Sequence, residues 1–155
     1  MTEFKNEGIA AEHVTIVVRL MGQGDALVAT RSLRALGRHI DEAAVVEYLR
    51  SDDDVLVIAF INEIPAGFAR GHCLRRLDGV RPKFMLYEIE TALPFRRRGV
   101  ARALMENMLD VARSLHSLNL FVLTDEANAA AMALYHSTGG RRPRPDDVLF
   151  EFELH

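Results

Sequence analysis

Two carboxylates and a basic turn stand close together within residues 83–104 (KFMLYEIETALPFRRRGVARAL). Glu88 and Glu90 lie near the end of a predicted buried strand, and three arginines and Gly99 follow where an amphipathic helix is predicted to begin. The first amides of a helix lack intrahelical partners, so a basic turn at this point suits an anion such as a phosphate. The segment therefore predicts a site for a phosphate-bearing cofactor with acid/base chemistry beside it.

The two glutamates are two positions apart in a strand, which places both side chains on one face of a sheet. Mutual repulsion between them would raise the pKa of at least one, and a raised pKa suits a general base. The alternative is that a glutamate here only binds a substrate ammonium or pairs with an arginine.

The basic turn contains neither GxxxxGK[ST] nor GxGxxG, so the common nucleotide-binding motifs are absent. It does contain Arg96, Gly99 and Ala101 in the spacing Arg-x-x-Gly-x-Ala. Gly99 allows a ligand to approach the backbone closely, and the amides of residues 98–101 could surround a pyrophosphate. Taken alone, the pattern also fits a basic first turn that is only exposed to solvent.

The surrounding elements predict a mixed α/β (α+β) sheet. Strands are predicted over residues 14–20, 55–61, 64–73, 84–92, 118–124 and 148–154, and helices over residues 25–38, 41–50, 99–116 and 129–137. Asn62 and Glu63 predict a hairpin, while Pro65 and Gly67 fit an edge or a bulge. The helix after the carboxylate strand leads into another apolar strand, which predicts a right-handed parallel crossover.

The composition predicts one globular domain over residues 1–155, with residues 1–12 as a loose leader. A net charge of -3 argues against a general nucleic-acid binder. Cys73 is the single cysteine, so no internal disulfide is expected, and the histidines show no spacing typical of metal ligands. No segment has the length of a membrane span or of a signal peptide, so we expect a cytoplasmic protein.

A second pattern, Asn-x-x-Ala-x-x-Leu-Tyr-x-x-x-Gly, occupies residues 128–139. Together with Arg-x-x-Gly-x-Ala, it resembles the two signature motifs of the GNAT N-acetyltransferases, and the order of strands and helices is also the order of that fold. Within the family, the stretches YLRSDDDVLVIAF, LYEIETALPFRRRGVARAL and DEANAAAMALYHSTGG look most similar to the aminoglycoside 3-N-acetyltransferases of the type I group.

The resemblance implies acetyl-CoA as the cofactor and direct transfer of its acetyl group to an amine. It places acetyl-CoA in a V-shaped opening between two parallel strands, here residues 84–92 and 118–124. The pyrophosphate is expected at the amides of the basic turn, the pantetheine along the first strand, and the outer arm at the second motif. The implied cofactor-binding residues are Ile89, Glu90, Thr91, Arg96, Arg97, Arg98, Gly99, Val100, Ala101, Arg102, Asn128, Ala131 and Tyr135.

The resemblance also implies catalytic roles. Tyr135 occupies the family's position for the acid that protonates the CoA thiolate, although a purely packing role is the alternative. Glu88 matches the acidic position after the tyrosine of the type I group, and we expect it to be the base, directly or through water, with Glu90 beside it. A backbone N–H of Ile89 or Glu90 would stabilise the developing oxyanion.

The expected acceptor is a small polycationic amine, in first place an aminoglycoside bound by Glu88, Asp125, Glu126 and Asp147. A polyamine, a peptide N-terminus or a lysine is the alternative acceptor. A non-catalytic sensor of acetyl-CoA is the alternative from another class. The acidic run at residues 52–54 fits a solvated loop or a surface that attracts a cation, and the alternating strand at residues 148–154 suggests a homodimer.

The sequence departs from the family pattern at two positions. Leu93 stands where members often have a proline, which allows a small shift of the basic turn. Gly140 replaces an aromatic residue, and this should loosen the packing behind the CoA arm.

Overall fold

A computed structural model describes residues 14–154, so the predicted leader at residues 1–12 lies outside the described residues. The chain divides into two compact units, one that ends at Val122 and one that begins at Leu123.

The first unit contains a five-stranded sheet in the order β1-β2-β3-β4-β5. Its elements are β1 (Ile16–Leu20), α1 (Ala26–Ala35), α2 (Glu42–Arg50), β2 (Asp54–Ile61), β3 (Ile64–Leu74), β4 (Lys83–Thr91), α3 (Val100–Ser114) and β5 (Leu120–Val122). Neighbouring strands are antiparallel except for β4 and β5, which are parallel. The predicted mixed α/β fold and its parallel crossover are confirmed.

Helices cover both faces of this sheet. Adjacent residues of β3 point to opposite faces, so the helix that each one contacts shows which face that helix covers. Phe68 packs in a buried cluster with Leu33 of α1 and Val45 of α2. A Cβ at the neighbouring Gly67 would instead lie 3.1 Å from Val100 and 3.2 Å from Leu104, both in α3. The sheet therefore has α1 and α2 on one face and α3 on the other.

Gly67 allows the first turn of α3 to pack closely against β3 and the end of β4. A Cβ at this position would lie 2.5 Å from the backbone oxygen of Glu90, in addition to its contacts with α3. Real Cβ atoms do not approach backbone so closely, and only glycine lets β3, the end of β4 and the first turn of α3 pack together. The basic turn is thereby held next to the end of the carboxylate strand.

The hairpin between β2 and β3 is confirmed. Asn62 and Glu63 both have positive φ angles, 49° and 64°, as a tight hairpin turn requires. The register between β2 and β3 shifts near Pro65 and Gly67, which confirms the predicted bulge. A second shift, between β3 and β4, leaves Tyr87 as an extra residue because Arg70 pairs with Glu88 while Gly71 pairs with Leu86.

The second unit contains α4 (Ala129–Ser137), with the bounds that the sequence predicted. The Asn128 side chain caps it by accepting from Ala131 N at 3.1 Å. After the helix, Gly139 has a φ of 92° and Gly140 N donates to Tyr135 O at 2.8 Å, as in a Schellman motif. A Cβ at Gly140 would lie 2.8 Å from Tyr135 O, so this turn requires the glycine that replaces the family's aromatic residue.

The predicted strand over residues 148–154 is wrong. This segment has no regular structure, and its apolar side chains are between 75% and 94% exposed. Alternation indicates a strand only where another strand pairs with its backbone, and within residues 14–154 no strand does so.

Several other predicted elements are shorter in the structure, and β5 and α1 differ most from their predicted lengths. Strand β5 covers residues 120–122 of the predicted 118–124. Helix α1 begins after a 3-10 turn at Gln23–Asp25 and ends at Ala35, because Gly37 adopts a φ of 83° and closes the helix. Arg38, predicted inside the helix, therefore lies in the turn between α1 and α2.

Candidate active site

The two glutamates of β4 form a four-residue ion-pair cluster with two arginines, which we call the Glu88 cluster: Arg38, Arg70, Glu88 and Glu90. Arg38 Nη2 lies 2.7 Å from Glu88 Oε1, and Arg38 Nη1 donates to Glu90 Oε2 at 3.3 Å. Arg70 Nε donates to Glu88 Oε2 at 2.9 Å. The predicted placement of both glutamates on one face is confirmed, and the alternative that they pair with arginines is realised in the structure.

Arg70 is firmly held in this cluster. It faces Glu88 directly across β3 and β4, and its guanidinium stacks on the Tyr87 ring at 4.3 Å from the ring centroid. Burial would lower the pKa of Arg70, but the hydrogen bond and charge of Glu88 outweigh burial and raise that pKa above its usual value. Arg70 therefore stays charged and fixes the orientation of the Glu88 carboxylate.

Arg38 reaches the cluster from the turn between α1 and α2. Its guanidinium lies over the Phe68 ring, 5.5 Å from the centroid, and its side chain is 40% exposed. The far end of the turn is anchored separately, because Arg34 donates two hydrogen bonds to Ile40 O at 3.1 and 3.3 Å. Arg38 is thus the less constrained of the two arginines.

Residues of the Glu88 cluster line two cavities. One, of about 350 Å³, has Arg38, Arg70 and Glu88 in its wall, along with apolar residues of α1, α2 and β3. The other, of about 480 Å³, is lined by Gly37, by the end of β4 with Glu90, and by the turn up to Arg96. The bond between Arg38 and Glu90 links a residue that lines the first cavity to a residue that lines the second. Both volumes fall in the range of roughly 300–1,000 Å³ that is usual for small-ligand sites.

Tyr48 lines the smaller cavity, and His72 packs against the Tyr48 ring. The Tyr48 hydroxyl lies 3.1 Å from Val55 O and 3.2 Å from Gly71 O, so it joins α2 to β2 and β3. Burial, with a contribution from the Asp54 charge, raises the pKa of Tyr48 to about 12. His72 packs edge-on against the Tyr48 ring and its Nδ1 lies 2.7 Å from Asp54 Oδ1.

The basic turn has the backbone shape of an anion site. Arg97 and Gly99 have φ angles of 59° and 87°, which curl the chain before α3 begins at Val100. Residues 96–99 are exposed, whereas Val100 is buried and can offer only its amide to a ligand. Such a curl exposes successive N–H groups together with the first amides of the helix.

Within residues 14–154, the contacts of the Arg96 and Arg98 side chains are long. Arg96 Nε lies 3.4 Å from Thr91 O, and the Arg98 guanidinium lies 6.0 Å from the Phe95 ring centroid. Arg102, one turn into α3, pairs with Glu106 at 3.4 Å. Ala101, between these cationic residues, is half-buried.

Strand β4 extends beyond its parallel neighbour. The ladder with β5 joins three residue pairs and stops at Leu86 and Val122, whereas β4 continues to Thr91. In the part of the chain that the structure describes, Ile89 and Thr91 pair with β3 but have no partner on the β5 side. This length of β4 presents an open backbone edge immediately before the basic turn.

The predicted residues of the second motif lie in the second unit. Asn128 and Ala131 are brought together by the helix cap. Tyr135 is half-buried in α4, and burial raises the pKa of its hydroxyl. Among residues 14–154, no group hydrogen-bonds this hydroxyl.

Of the acids predicted to bind a polycation, Asp125 and Glu126 have partners within the protein. Asp125 accepts from Ala127 N at 2.8 Å and forms a turn, and Glu126 pairs with Arg142 at 2.7 Å. Asp147 is exposed. In the acidic run before β2, Asp53 is held by Arg75 at 2.8 Å, so this run is not a free anionic surface.

Sequence reasoning missed Arg38 and Arg70. Arg70 left a signal, since a charged residue inside an otherwise apolar strand requires a partner of opposite charge. Arg38 left none, because its partners are 50 and 52 residues away along the chain. Within the described residues, no group of three potential ligands could hold a metal ion, and no helix is long and apolar enough to cross a membrane.

Comparisons with known proteins agree with this architecture. Residues 25–139 match the family model described as "Acetyltransferase (GNAT) family". No match was found among curated protein sequences.

Three solved structures illustrate the similarity of fold. An aminoglycoside acetyltransferase, meta-AAC0020, from an uncultured soil metagenomic sample in complex with sisomicin has a TM-score of 0.80 at 14% identity, covering 90% of this chain and 97% of that chain. AAC(6')-Iy in complex with a bisubstrate analog, CoA-S-monomethyl-acetylneamine, has a TM-score of 0.72 at 20% identity, covering 91% and 99%. A ribosomal-protein-alanine N-acetyltransferase from Brucella melitensis biovar Abortus 2308 has a TM-score of 0.67 at 16% identity, covering 88% and 100%. At these identities the likeness shows the fold alone.

Proposed function

The chain belongs to the GNAT acetyltransferase family, and from this premise we propose that it moves the acetyl group of acetyl-CoA to a primary amine of a small polycationic substrate. The 3-amino group of an aminoglycoside, as in the type I group, is the first candidate acceptor. The observation that carries the proposal is the pair of carboxylates on β4, Glu88 and Glu90, each lining a cavity and both lying directly before an exposed basic turn.

The exposed backbone groups fit the two ends of the cofactor. The amides of residues 98–102, in the curl around Gly99, would hold the pyrophosphate, and Arg96, Arg97 and Arg98 add positive charge there. The open edge of β4 at Ile89 and Thr91 would hydrogen-bond the amides of the pantetheine as an added strand does. Acetyl-CoA supplies an activated acetyl group when it is bound.

The second motif is assigned to the outer arm and the leaving group. Asn128 uses its side-chain oxygen in the helix cap, which leaves its NH₂ group to donate toward the arm beside Ala131. Tyr135 has a hydroxyl without a described partner and a pKa raised by burial, so it stays protonated at neutral pH. It can therefore donate a proton to the thiolate that leaves.

Glu88 is assigned as the base. A substrate ammonium has a pKa near 10 and must lose a proton before its nitrogen can attack the acetyl carbon. Both Glu88 oxygens already accept from guanidinium groups, but a carboxylate offers about four lone-pair positions, so an amine or a bridging water can also bind. Glu90 would bind a second ammonium, and a backbone N–H of Ile89 or Glu90 would stabilise the oxyanion.

A second acceptor class is a peptide N-terminus, and one similar structure, from Brucella, is named a ribosomal-protein-alanine N-acetyltransferase. Polyamines and lysine side chains belong to the same chemistry. A non-catalytic sensor of acetyl-CoA would bind the cofactor and transfer nothing. A homodimer formed through residues 148–154 stays a prediction.

Release of the CoA thiol separates these functions. The purified protein is mixed with acetyl-CoA and, in turn, with sisomicin, spermidine, and a short peptide with a free N-terminus. We expect thiol release with sisomicin to exceed that with the other amines. Binding of acetyl-CoA with no release of CoA thiol in the presence of any of these amines would contradict the proposed transfer. It would leave the non-catalytic sensor as the function. Faster release with the peptide would contradict the acceptor class alone.

A further inference from the structure

Arg38 holds the two carboxylates of β4 in a way that a doubly charged amine would reproduce. One guanidinium nitrogen lies 2.7 Å from Glu88 and another lies 3.3 Å from Glu90. These are the separations of ammonium–carboxylate ion pairs. In the absence of substrate, the cation between the two glutamates is therefore one that the chain supplies itself.

The two arginines of the Glu88 cluster differ in how they are held. Arg70 sits on a central strand, stacks on Tyr87 and approaches Glu88 through Nε. Arg38 sits on a turn directly after Gly37, has a 40% exposed side chain, and rests on one face of Phe68. Displacing Arg38 would leave Glu88 oriented by Arg70, and it would free one oxygen on each glutamate.

Displacement of the Arg38 side chain would affect residues that line both cavities. Arg38 lines the smaller cavity and bonds to Glu90, which lines the larger one. When the Arg38 side chain moves away, Glu88 in the wall of the smaller cavity and Glu90 in the wall of the larger one are both free to bind a cation.

We propose that Arg38 occupies the position of the acceptor's ammonium groups and competes with the acceptor for Glu88 and Glu90. A monoamine replaces one of the two ion pairs that Arg38 makes, whereas a molecule with two suitably spaced ammonium groups replaces both. Arg38 is an internal competitor of the acceptor in this scheme and takes no part in the chemical step. The inference rests on the proposed function, because it takes the Glu88 cluster as the acceptor site.

Binding measurements on Arg38→Gln test this inference without requiring turnover. Dissociation constants are measured by calorimetric titration in the presence of CoA, with sisomicin and with three ligands that share a four-carbon chain: butylamine, putrescine and γ-aminobutyrate. A ligand that binds too weakly for direct titration is measured by competition with sisomicin. Wild-type protein should bind putrescine more tightly than butylamine. Arg38→Gln should bind sisomicin and both amines about threefold to tenfold more tightly, the range expected when one or two exposed ion pairs no longer compete.

Two further variants separate position from charge. Arg31→Gln removes the same charge from an exposed position on α1 and should change these dissociation constants by less than about twofold. Arg38→Lys keeps the charge but lacks the guanidinium fork that joins both glutamates, so its dissociation constants should lie between those of wild type and Arg38→Gln. The affinity for acetyl-CoA should be unchanged in all three variants.

Several outcomes would overturn the inference. Unchanged amine binding in Arg38→Gln would show that Arg38 does not compete, and weaker binding would show that it helps to hold the substrate. Tighter binding of γ-aminobutyrate than of putrescine by wild type, lost in Arg38→Gln, would assign Arg38 to an anionic group of the acceptor. No amine binding by any variant also overturns it. Tighter amine binding without thiol release would refute the proposed transfer and leave this inference standing.

Discussion

At the scale of single residues, the Glu88 cluster balances two carboxylates with two permanent cations. The repulsion that strand periodicity predicts between Glu88 and Glu90 is offset by Arg38, which contacts both. The shared face of the two glutamates followed from sequence, since side chains alternate along a strand. The arginine partners of the two glutamates could not be predicted from sequence. Arg38, for example, lies in a turn far away in the chain and meets the glutamates only in the folded protein.

Tyr135→Phe tests the proposed acid. The phenylalanine keeps the ring but cannot protonate the thiolate, so we expect kcat to fall about a hundredfold, with little change in the affinity for acetyl-CoA. Because burial raises the pKa of Tyr135, its hydroxyl should remain protonated throughout the pH range in which the enzyme works. Wild-type kcat should therefore show no decline from this group below about pH 10. An unchanged kcat in the variant would remove Tyr135 from the mechanism.

At the scale of elements, the sequence correctly predicted helices whose ends are capped by nearby residues and strands that pair with the next strand along the chain. Helix α4 was predicted with its correct bounds because Asn128 caps its start and two glycines close its end. The hairpin of β2 and β3 followed from its two-residue turn. The strand over residues 148–154 failed because alternation describes the side chains, whereas a strand also requires a pairing edge that the segment itself does not contain.

Tyr48→Phe tests the link between α2 and the sheet. The variant loses the one hydrogen bond that the Tyr48 hydroxyl can donate, within reach of two backbone oxygens at a partly buried position, so we expect the free energy of unfolding to fall by about 1–3 kcal/mol at pH 7. Tyr87→Phe is the matched control, because Tyr87 is exposed and its ring can still stack on Arg70. Its unfolding free energy should change by less than about 0.5 kcal/mol in urea denaturation.

The contribution of Tyr48 should also depend on pH. Its pKa is 10.0 in ordinary surroundings and about 12 in the folded protein, so the folded state holds the proton more tightly than the unfolded state. The stability that this provides is complete below about pH 10 and is lost as the pH rises towards 12. The difference between wild type and Tyr48→Phe should therefore narrow over that interval. A difference that stays constant up to pH 12 would contradict this assignment.

At the scale of the whole molecule, three features follow one another from β4 to the start of α3: the two glutamates, the open strand edge and the basic turn. The glutamates face the cavities, the open edge follows, and the exposed turn leads into α3. Gly67 holds this arrangement by letting β3, β4 and α3 approach closely. The net charge of -3 gives the protein no general attraction for polyanions, which agrees with a small cationic acceptor better than with nucleic acid.

The most direct test of the central claim is the rate of acetyl transfer by Glu88→Gln across pH. Initial rates of thiol release with acetyl-CoA and sisomicin are measured from pH 6 to pH 10 for wild type, for Glu88→Gln, and for the control Glu47→Gln, whose side chain is exposed on α2. If Glu88 is the base, kcat/KM of Glu88→Gln falls about a hundredfold or more near neutral pH and recovers as the amine loses its own proton at high pH, while the control keeps the wild-type profile. A Glu88→Gln variant that retains the full rate at every pH would contradict the account.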